Sequence, residues 1–460
     1  MLKVKFEKPI LNNNKFTFFY PKNLKKLLSP QALKKLKKYF FLYSLIKIIF
    51  YAYTRIFIEL SKPNTLELVN LSAFLGKKET TRFILFPKVS RKYKQPLLVS
   101  ESKFADKALK NSDFYDRTPN VYLGEISDAK VIGNSNFIIK GKKAIHHDLL
   151  SLSNEIVPEE AHNIFQLKPF LFGKIAIQLN TYKFSSLNVA ATFVDGTARN
   201  YAHWITEVLP RVSAFSKNRE FKNIPMIFNE GLHRNIIKSL DLLLGGRHPV
   251  IFLPQNHGLI VKKLFVVSVA GYAPFDTRKR LFSKYKQPRM LFNSNALQYI
   301  RSYFKPSKIA QSLPDKIYIA RRSSYRNLLN DREIEALVLS HGFVVYNFMN
   351  EPFERQVNII SNANIIIGNS GAHFANLLFA KPSAKVIILT NSSKFINFQY
   401  WTKICFFLKN RITYVIGNSL QPGSEISPHA DFSINLKLLD MVILNNLKKT
   451  DVNYKYKKKP

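Results

Sequence analysis

The chain has 460 residues, of which 46% are apolar and 13% aromatic. This composition excludes an intrinsically disordered chain and leaves room for two or three domains. The single cysteine, Cys405, excludes an intramolecular disulfide and a zinc site built on cysteines. The chain carries 70 Lys and Arg against 30 Asp and Glu, a net charge of +40, which favours phosphate groups, nucleic acid or an anionic membrane surface as partners.

Residues 1–65 are predicted to form a basic arm and a membrane-associating helix. Residues 1–28 have no apolar period and no signal-peptide pattern, so we expect a loosely ordered arm. Ser29 and Pro30 are favoured at a helix start, and Lys62-Pro63 ends the helix. Lysines crowd the first turns, and apolar residues fill most of 39–60. We therefore predict a basic amphipathic helix in the plane of a membrane, with a spanning helix or a buried core helix as alternatives.

Within residues 66–290 the predicted pattern changes from consecutive strands to strands that alternate with helices. Short alternating runs predict strands to about residue 185, including two strands around an Asn/Gly turn within 131–139. From Arg199 onward, strands alternate with helices. One of these helices is predicted at His233–Leu244, ended by Gly245-Gly246.

Residues 291–440 show the clearest alternation. The predicted strands are 316–320, 343–347, 364–368 and 385–390, and the predicted helices are 331–340, 352–361 and 372–379. This order is typical of a parallel, doubly wound α/β sheet. A polar stretch with prolines near 285–312 marks a domain boundary. Residues 441–460 are predicted to be a basic tail that is disordered from Asn445 onward.

A possible anion site begins where the strand 364–368 ends. A helix follows Gly368 within four residues, and ligands of open α/β sheets bind at the carboxyl ends of strands. The N–H groups of Gly371 and Ala372 at the helix start suit a phosphate. Ser370 can cap this helix or bond a phosphate oxygen. The alternative is a plain tight turn.

Arg321, Arg322 and Arg326 follow the strand 316–320. Guanidinium groups at a strand end can hold a diphosphate bidentately. In a doubly wound sheet these arginines lie on the same rim as Gly368, which predicts a diphosphate site without a metal ion. The alternative is a surface basic patch.

His203 and Glu207 are four residues apart and therefore share a helix face. Either could take a proton from a hydroxyl group. The alternative is that His203 bonds within the core beside Trp204 while Glu207 pairs with Arg211.

In this order and spacing, the three segments resemble glycosyltransferase family 61, the capsular-polysaccharide-type transferases, over about residues 120–395. The matching residues are Asn200, Tyr201, His203, Trp204, Glu207, Leu209, Pro210 and Arg211; Arg321, Arg322, Arg326, Asn330, Glu333, Gly342, Phe343 and Gln356; and Gly368, Gly371, Ala372, Asn376, Leu377, Leu378 and Phe379.

Three positions depart from the family pattern. Ser370 stands where the family usually has His, His373 where a small residue is usual, and Ile388 where Glu is common. We expect these positions to face the donor, so that donor contacts are altered or activity is reduced.

The resemblance implies a GT-B-like α/β fold, in which two Rossmann-like domains face a cleft. Residues 66–290 would form the acceptor-side domain and 291–440 the nucleotide-sugar-binding domain. The expected reaction is an inverting, metal-independent hexosyl or pentosyl transfer, without a cofactor, from a nucleotide sugar to a glycan or lipid-linked saccharide. The setting would be cell-surface polysaccharide synthesis at the cytoplasmic face of a membrane.

The expected site residues follow from the three segments. His203 or Glu207 would be the catalytic base. The diphosphate ligands would be Arg321, Arg322, Arg326, Ser370, Gly371 and Ala372. Other cleft residues would be Asn200, Asn330, Gly368, His373 and Asn376.

Two other classes of function remain open from the sequence. Ser370 and Ile388 are compatible with a degenerate transferase that binds its ligand without catalysis. The net charge alone suggests nucleic-acid binding, but no helix-turn-helix, RRM or zinc-finger pattern is present, and we expect no specific nucleic-acid partner.

Overall fold

The computed structural model describes residues 64–101, 114–149, 164–166, 174–177, 183–273, 290–308, 312–323, 325–393, 396–419 and 427–448. The predicted basic arm and membrane-associating helix lie outside these residues up to residue 63, as does the predicted tail beyond residue 448. Among the described helices, none has the length and hydropathy needed to cross a bilayer.

Strands predominate up to residue 192, and helices are interspersed among the strands in the rest of the described chain. The strands are β1 Asn64–Asn70, β2 Ile84–Phe86, β3 Val89–Tyr93, β4 Leu97–Ser100, β5 Phe114–Thr118, β6 Val121–Ile132, β7 Ile138–Lys140, β8 Lys143–His146, β9 Ile164–Gln166, β10 Lys174–Ile177, β11 Lys183–Thr192, β12 Met226–Asn229, β13 Val250–Leu253, β14 His257–Val267, β15 Gly271–Tyr272, β16 Leu291–Phe292, β17 Lys316–Ile319, β18 Val344–Tyr346, β19 Ile365–Asn369, β20 Lys385–Asn391 and β21 Arg411–Gly417.

The helices pack on the sheets that these strands form. They are α1 Leu71–Arg82, α2 in three consecutive segments (Tyr201–His203, Trp204–Val208 and Leu209–Ser216), a short 3-10 turn Arg219–Phe221, α3 Arg234–Leu244, α4 Ser294–Tyr303, α5 Asp331–Ser340, α6 Phe353–Asn362, the 3-10 helix Ala372–Phe379, α7 Gln399–Phe407 and α8 Leu436–Leu447.

The first large sheet is mixed. Its described strands run in the order β13-β12-β11-β14-β6-β7-β8-β1-β10-β9, with β2 also paired to β6. The four strands from β13 to β14 are parallel, whereas β14 pairs antiparallel with β6 along most of both strands. The resemblance implied a Rossmann-like sheet here. That expectation holds only for the parallel part next to α2 and α3, because the β6–β7–β8 hairpins continue the sheet in the antiparallel sense.

The second large sheet is parallel throughout, in the order β18-β17-β19-β20-β21-β4. Alternate residues of each strand enter different buried clusters: Ile317 and Ile319 pack against α6 and the helix Ala372–Phe379, while Tyr318 packs on the side of α5 and α8. Burial on both faces explains why these strands read as continuous apolar runs. The predicted α/β fold with a doubly wound sheet is confirmed for this region.

Two features differ from the predicted division into domains. Strand β4, from the first hundred residues, pairs with β21 and completes the second sheet. Helix α4 occupies part of the stretch 285–312 that was expected to be a boundary, because Asn293 caps it through the N–H groups of Asn295 and Ala296.

Several predicted elements match closely. Helix α5 has the predicted bounds, and α3 ends as expected at Gly245, which adopts the left-handed conformation with φ 52°. The segment 372–379 is helical but has 3-10 geometry. The tail was expected to be disordered from Asn445, yet α8 continues to Leu447 because its apolar face, including Ile443, packs on the second sheet.

Candidate active site

A cavity of about 460 Å³ lies between the region of α2 and α3 and one edge of the second large sheet. On one side its wall is formed by the start of α2 and the start of α3. On the other side, Ala320, Asn347 and Ser370 follow β17, β18 and β19, so the cavity sits at the carboxyl ends of three neighbouring parallel strands. This is the position at which ligands of open α/β sheets bind.

Arg321 and Arg326 converge on one backbone oxygen. Nη1 of Arg321 donates to the Ser370 carbonyl at 2.6 Å, and Nη1 of Arg326 donates to the same oxygen at 3.3 Å. Arg326 adopts a left-handed backbone conformation with φ 58°, and its carbonyl accepts a hydrogen bond from Nδ2 of Asn369. The predicted convergence of the arginine strand end with the glycine strand end is therefore present.

The two guanidinium groups lack a carboxylate in this wall. No Asp or Glu occurs among the described residues that line the cavity. Burial, followed by repulsion from Arg321, lowers the pKa of Arg326 to about 10. Burial likewise lowers the pKa of Arg321. The two guanidinium groups are positively charged, lie close together and share a neutral carbonyl. An anion bound beside them would therefore be stabilised.

Arg322 is placed differently from the other two arginines. It reaches the rim of the cavity, but its side chain is 66% exposed and its Nη2 pairs with Oε1 of Glu335 at 2.9 Å. Exposed ion pairs of this kind contribute little to the free energy of unfolding. The structure therefore brings together two of the three predicted arginines and leaves Arg322 at the surface.

Gly371 is required for close approach. Its φ of −169° is extended and open to any residue, but a Cβ built on it would lie 2.9 Å from Cε1 of His373 and 3.3 Å from Cδ of Arg321. Gly371, Ala372 and Ser370 all line the cavity, as predicted. Of the two roles open to Ser370 from the sequence, capping the following helix or bonding a phosphate oxygen, the structure does not show the first, because Gly371 is the residue that precedes the first turn.

Two imidazoles stand beside the arginines. Burial, with added repulsion from Arg321 and Arg326, lowers the pKa of His373 to about 3, against an opposing effect of the Asn369 carbonyl. Burial and the same arginines lower the pKa of His429 to about 4, and Nη2 of Arg326 lies 3.1 Å from Nδ1 of His429. Both rings are therefore neutral near pH 7.

A chain of hydrogen bonds ties the two sides of the cavity together. The Tyr201 hydroxyl donates to Oδ1 of Asn376 at 2.7 Å, and Nδ2 of Asn376 donates to Oε1 of Gln356 at 2.7 Å. Nε2 of Gln356 in turn donates to the Phe348 carbonyl. Asn376 is fully buried, so it positions the wall from behind. Tyr201 and Gln356 line the cavity itself.

Other predicted cleft residues are not on the wall. Asn200 lines the cavity and caps α2, whereas Asn330 bonds the backbone of Ile434 through both amide atoms. Gly368 is buried, and a Cβ there would meet the carbonyl of Ile319 at 2.8 Å. Ile388 was expected to face the donor, but it is fully buried beside Gly368 because its strand is covered on both faces.

The predicted catalytic pair lies in the core of α2. His203 and Glu207 are 1% and 5% exposed, and Nδ1 of His203 is 2.6 Å from Oε1 of Glu207. The segment Trp204–Val208 is π-helical, with the Leu209 N–H donating to the Trp204 carbonyl. Burial raises the pKa of Glu207, and His203 opposes that shift. Neither side chain lines the cavity.

The same helix carries a second buried pair. Nη2 of Arg211 donates to Oδ2 of Asp195 at 2.8 Å, and Nε of Arg211 donates to the Glu207 carbonyl. Arg211 therefore pairs with Asp195, and its bond to Glu207 is through the backbone. Both charged groups of this pair are more than nine-tenths buried.

Sequence reasoning missed several wall residues. The cavity is also lined by His233, Asn235, Tyr325, Met349, Tyr400, Trp401 and His429. His429 follows Arg326 by about a hundred residues and reaches it through the backbone bond from the Arg326 N–H to the His429 carbonyl. No local pattern marks such a pairing. Tyr325, next to Arg326 and half exposed, could have been found from its neighbours in sequence.

The comparison with known families agrees with this geometry. Residues 201–387 match the family described as Glycosyltransferase 61, a segment that begins in α2 and ends in β20. No curated protein matches the chain. The matched segment contains both converging arginines, Gly371 and the bond between Tyr201 and Asn376. Over this segment the chain is similar to glycosyltransferase family 61, which supports a glycosyltransferase.

Proposed function

We propose that the protein transfers a hexosyl or pentosyl group from a nucleotide sugar to a glycan or lipid-linked saccharide, with inversion and without a divalent cation. One observation carries the proposal. Arg321 and Arg326 meet at the Ser370 carbonyl, in a cavity whose described wall has no carboxylate. An anionic ligand is the natural partner of that wall, and the family makes the diphosphate of a sugar nucleotide the best candidate.

The wall has the chemistry that a leaving diphosphate needs. The two guanidinium groups offer charge-assisted hydrogen bonds to phosphate oxygens. The start of the helix Ala372–Phe379 adds backbone N–H groups and the positive end of its dipole. Donors that are fixed before the reaction stabilise charge as it develops on the leaving group. These groups support transfer without a metal ion.

The acceptor would enter from the side formed by α2 and α3, in a GT-B-like arrangement of two α/β units facing a cleft. On that side, Nδ1 of His233 accepts from the Asn235 N–H, which leaves the other ring nitrogen of neutral His233 as a donor. This nitrogen is suited to holding an acceptor hydroxyl. It is not suited to removing the proton of that hydroxyl.

The proton acceptor of the proposed reaction is His203 or Glu207, as predicted from the sequence. Both lie behind the wall made by Tyr201 and Ala202, so the π-helical turn must open for either to meet the acceptor. Short π-helical segments are frequent at functional sites. His203→Gln and Glu207→Gln would lower kcat by about 10²-fold or more if this role is correct.

We also propose that the enzyme works at the cytoplasmic face of a membrane on a cell-surface polysaccharide, such as a capsular polysaccharide. The net charge of +40 supports attachment to anionic lipid. A lipid-linked acceptor would lie at that surface.

A degenerate transferase that binds without catalysis is the second candidate. It is favoured by the absence of Asp and Glu among the described residues that line the cavity, since a carboxylate is a common general base. Turnover decides between the two candidates.

The test compares two arginines that are four residues apart. A panel of UDP-, GDP- and CMP-sugars is screened by thermal shift, and release of the nucleoside phosphate is then measured with saccharide acceptors. Arg326→Gln should weaken donor binding by about 10- to 100-fold, because each hydrogen bond to a charged group contributes roughly 1.5–3 kcal/mol. Arg322→Gln, the matched control, should change it less than about threefold.

Three outcomes are informative. Donor binding with release of product supports the enzyme. Donor binding without any turnover supports the degenerate candidate. If no nucleotide sugar binds, or if Arg322→Gln costs as much affinity as Arg326→Gln, the proposed diphosphate site is wrong.

A further inference from the structure

His373 is a cavity residue that the proposed reaction has not used. Its imidazole folds back over Gly371, so that a Cβ on Gly371 would lie 2.9 Å from Cε1 and 3.0 Å from Nδ1 of the ring. Arg321 packs against the same glycine, with Cδ 3.3 Å from that Cβ position. Nε2 of His373 is buried and makes no hydrogen bond of normal geometry. The ring therefore flanks the convergence point of the arginines with unused hydrogen-bonding capacity.

We propose that His373 is a third ligand of the donor diphosphate and that it takes up a proton as the diphosphate binds. This inference rests on the proposed function, because it assigns a further residue to the same donor site.

Burial of the ring, and then the charges around it, explain why the proton is absent before binding. Arg321 and Arg326 are the charged groups that act on His373, and both oppose its protonation. The Asn369 carbonyl favours protonation but is outweighed. On α7, which packs against this region, the facing wall residues are Tyr400 and Trp401, neither of which is charged near pH 7.

A bound diphosphate reverses this balance. Two phosphate charges placed against the arginines cancel their repulsion of the imidazolium. The phosphates also attract the imidazolium and so offset the cost of burying its charge, since an opposite charge close to a group favours its charged form. The proton comes from solvent, and the imidazolium then donates a hydrogen bond to a phosphate oxygen. No covalent bond forms or breaks in this step.

His429 provides an internal comparison. It is the other imidazole beside Arg326, and it is neutral for the same reasons. Its Nδ1 lies 3.1 Å from Nη2 of Arg326 and accepts a hydrogen bond from it. Protonation of that nitrogen would break this bond, so His429 should stay neutral in the complex.

The test is calorimetric titration with UDP-glucose and GDP-mannose, whose diphosphate charges do not change between about pH 5 and 8. Titration in two buffers of different ionisation enthalpy gives the number of protons taken up on binding. The folded, unliganded protein holds His373 unprotonated throughout this range, and the liganded protein holds it protonated below the raised pKa. The wild-type protein should therefore take up about one proton at the acid end, and its affinity should fall by up to about tenfold per pH unit as the pH rises.

Two variants assign the proton. His373→Asn, with His373→Gln as a second variant of different size, should show no uptake and a flat pH profile, with an affinity near that of the wild type at about pH 8. His429→Asn should retain both the uptake and the slope. Melting curves confirm that each variant is folded.

The outcomes separate this inference from the proposed function. If neither sugar nucleotide binds the wild type, both are overturned for these donors. If a donor binds without proton uptake, or if His373→Asn and His373→Gln leave the uptake unchanged, only the role of His373 is wrong.

Discussion

The core of α2 and the arginine wall of the cavity both bury charged side chains, but they treat the charge in opposite ways. In α2, Arg211 lies 2.8 Å from Asp195, and His203 lies 2.6 Å from Glu207. In the wall, the partly buried Arg321 and Arg326 share the neutral carbonyl of Ser370. Neither forms an ion pair with a described residue, although the Asp431 carboxylate acts on Arg321 from farther away. A buried charge that is paired within the chain is compatible with a stable fold. A buried charge that has no ion-pair partner in the chain is costly, and binding of an oppositely charged ligand reduces that cost.

The first way to test this comparison is to remove the carboxylate that pairs with a charged residue of α2. Asp195→Asn keeps the side-chain oxygen that accepts hydrogen bonds from the Thr197 N–H and hydroxyl groups. It removes the negative charge that pairs with Arg211. The free energy of unfolding should fall by about 3–5 kcal/mol, the usual cost of leaving one member of a buried pair. Denaturant unfolding measures it. In the control Glu335→Gln, the charge that pairs with the exposed Arg322 is removed, at a cost of about 1 kcal/mol or less. Equal losses in the two variants would contradict the distinction.

The second way is to crowd the arginine wall without changing its charge. Gly371→Ala places a methyl group against His373 and Arg321, and overpacking of this kind costs about 1–3 kcal/mol. Because both neighbours belong to the proposed donor site, we expect donor affinity to fall about tenfold or more. Gly141→Ala is the matched control, since Gly141 has φ 56° and open space around it. That variant should lose stability and keep its affinity.

If Gly371→Ala binds the donor as tightly as the wild type does, the close packing at Gly371 has no part in the donor site.

The third and smallest effect concerns the bond between the two regions. Tyr201→Phe removes the hydrogen bond to Asn376, which should lower the free energy of unfolding by about 1 kcal/mol. Donor affinity should change little, because the arginines stay in place. Chemical denaturation and donor titration are measured on the same sample. A loss of affinity as large as that of Gly371→Ala would mean that Tyr201 contacts the donor.

The sequence predicted most of the second sheet and its rim. Continuous apolar strands such as β19 are recognisable because both faces are buried, and the carboxyl ends of parallel strands must share an edge. These two rules are enough to place Arg321 and Gly371 on the same rim. The 3-10 geometry of 372–379 was not predictable, because local propensity separates α from 3-10 turns poorly.

Other parts of the site depend on contacts between distant segments. The spacing of His203 and Glu207 correctly gave one helix face, but spacing does not say whether that face meets a cavity or the core. Asn330 was expected in the cleft, and only the position of the segment around Ile434 explains its actual bonds. The mixed first sheet was missed for a similar reason, because the β6–β14 pairing joins strands more than a hundred residues apart.

The place of β4 has a consequence for how the molecule is assembled. This strand lies near the beginning of the described chain but forms one edge of the sheet that carries the proposed donor site. In a truncated protein starting at residue 291, the backbone N–H and C=O groups on one edge of β21 would be unpaired. Such an exposed edge strand promotes pairing with other molecules. During synthesis, more than three hundred residues are made between β4 and its neighbour β21. We therefore expect the pairing of β4 with β21 to be among the slow, late steps of folding.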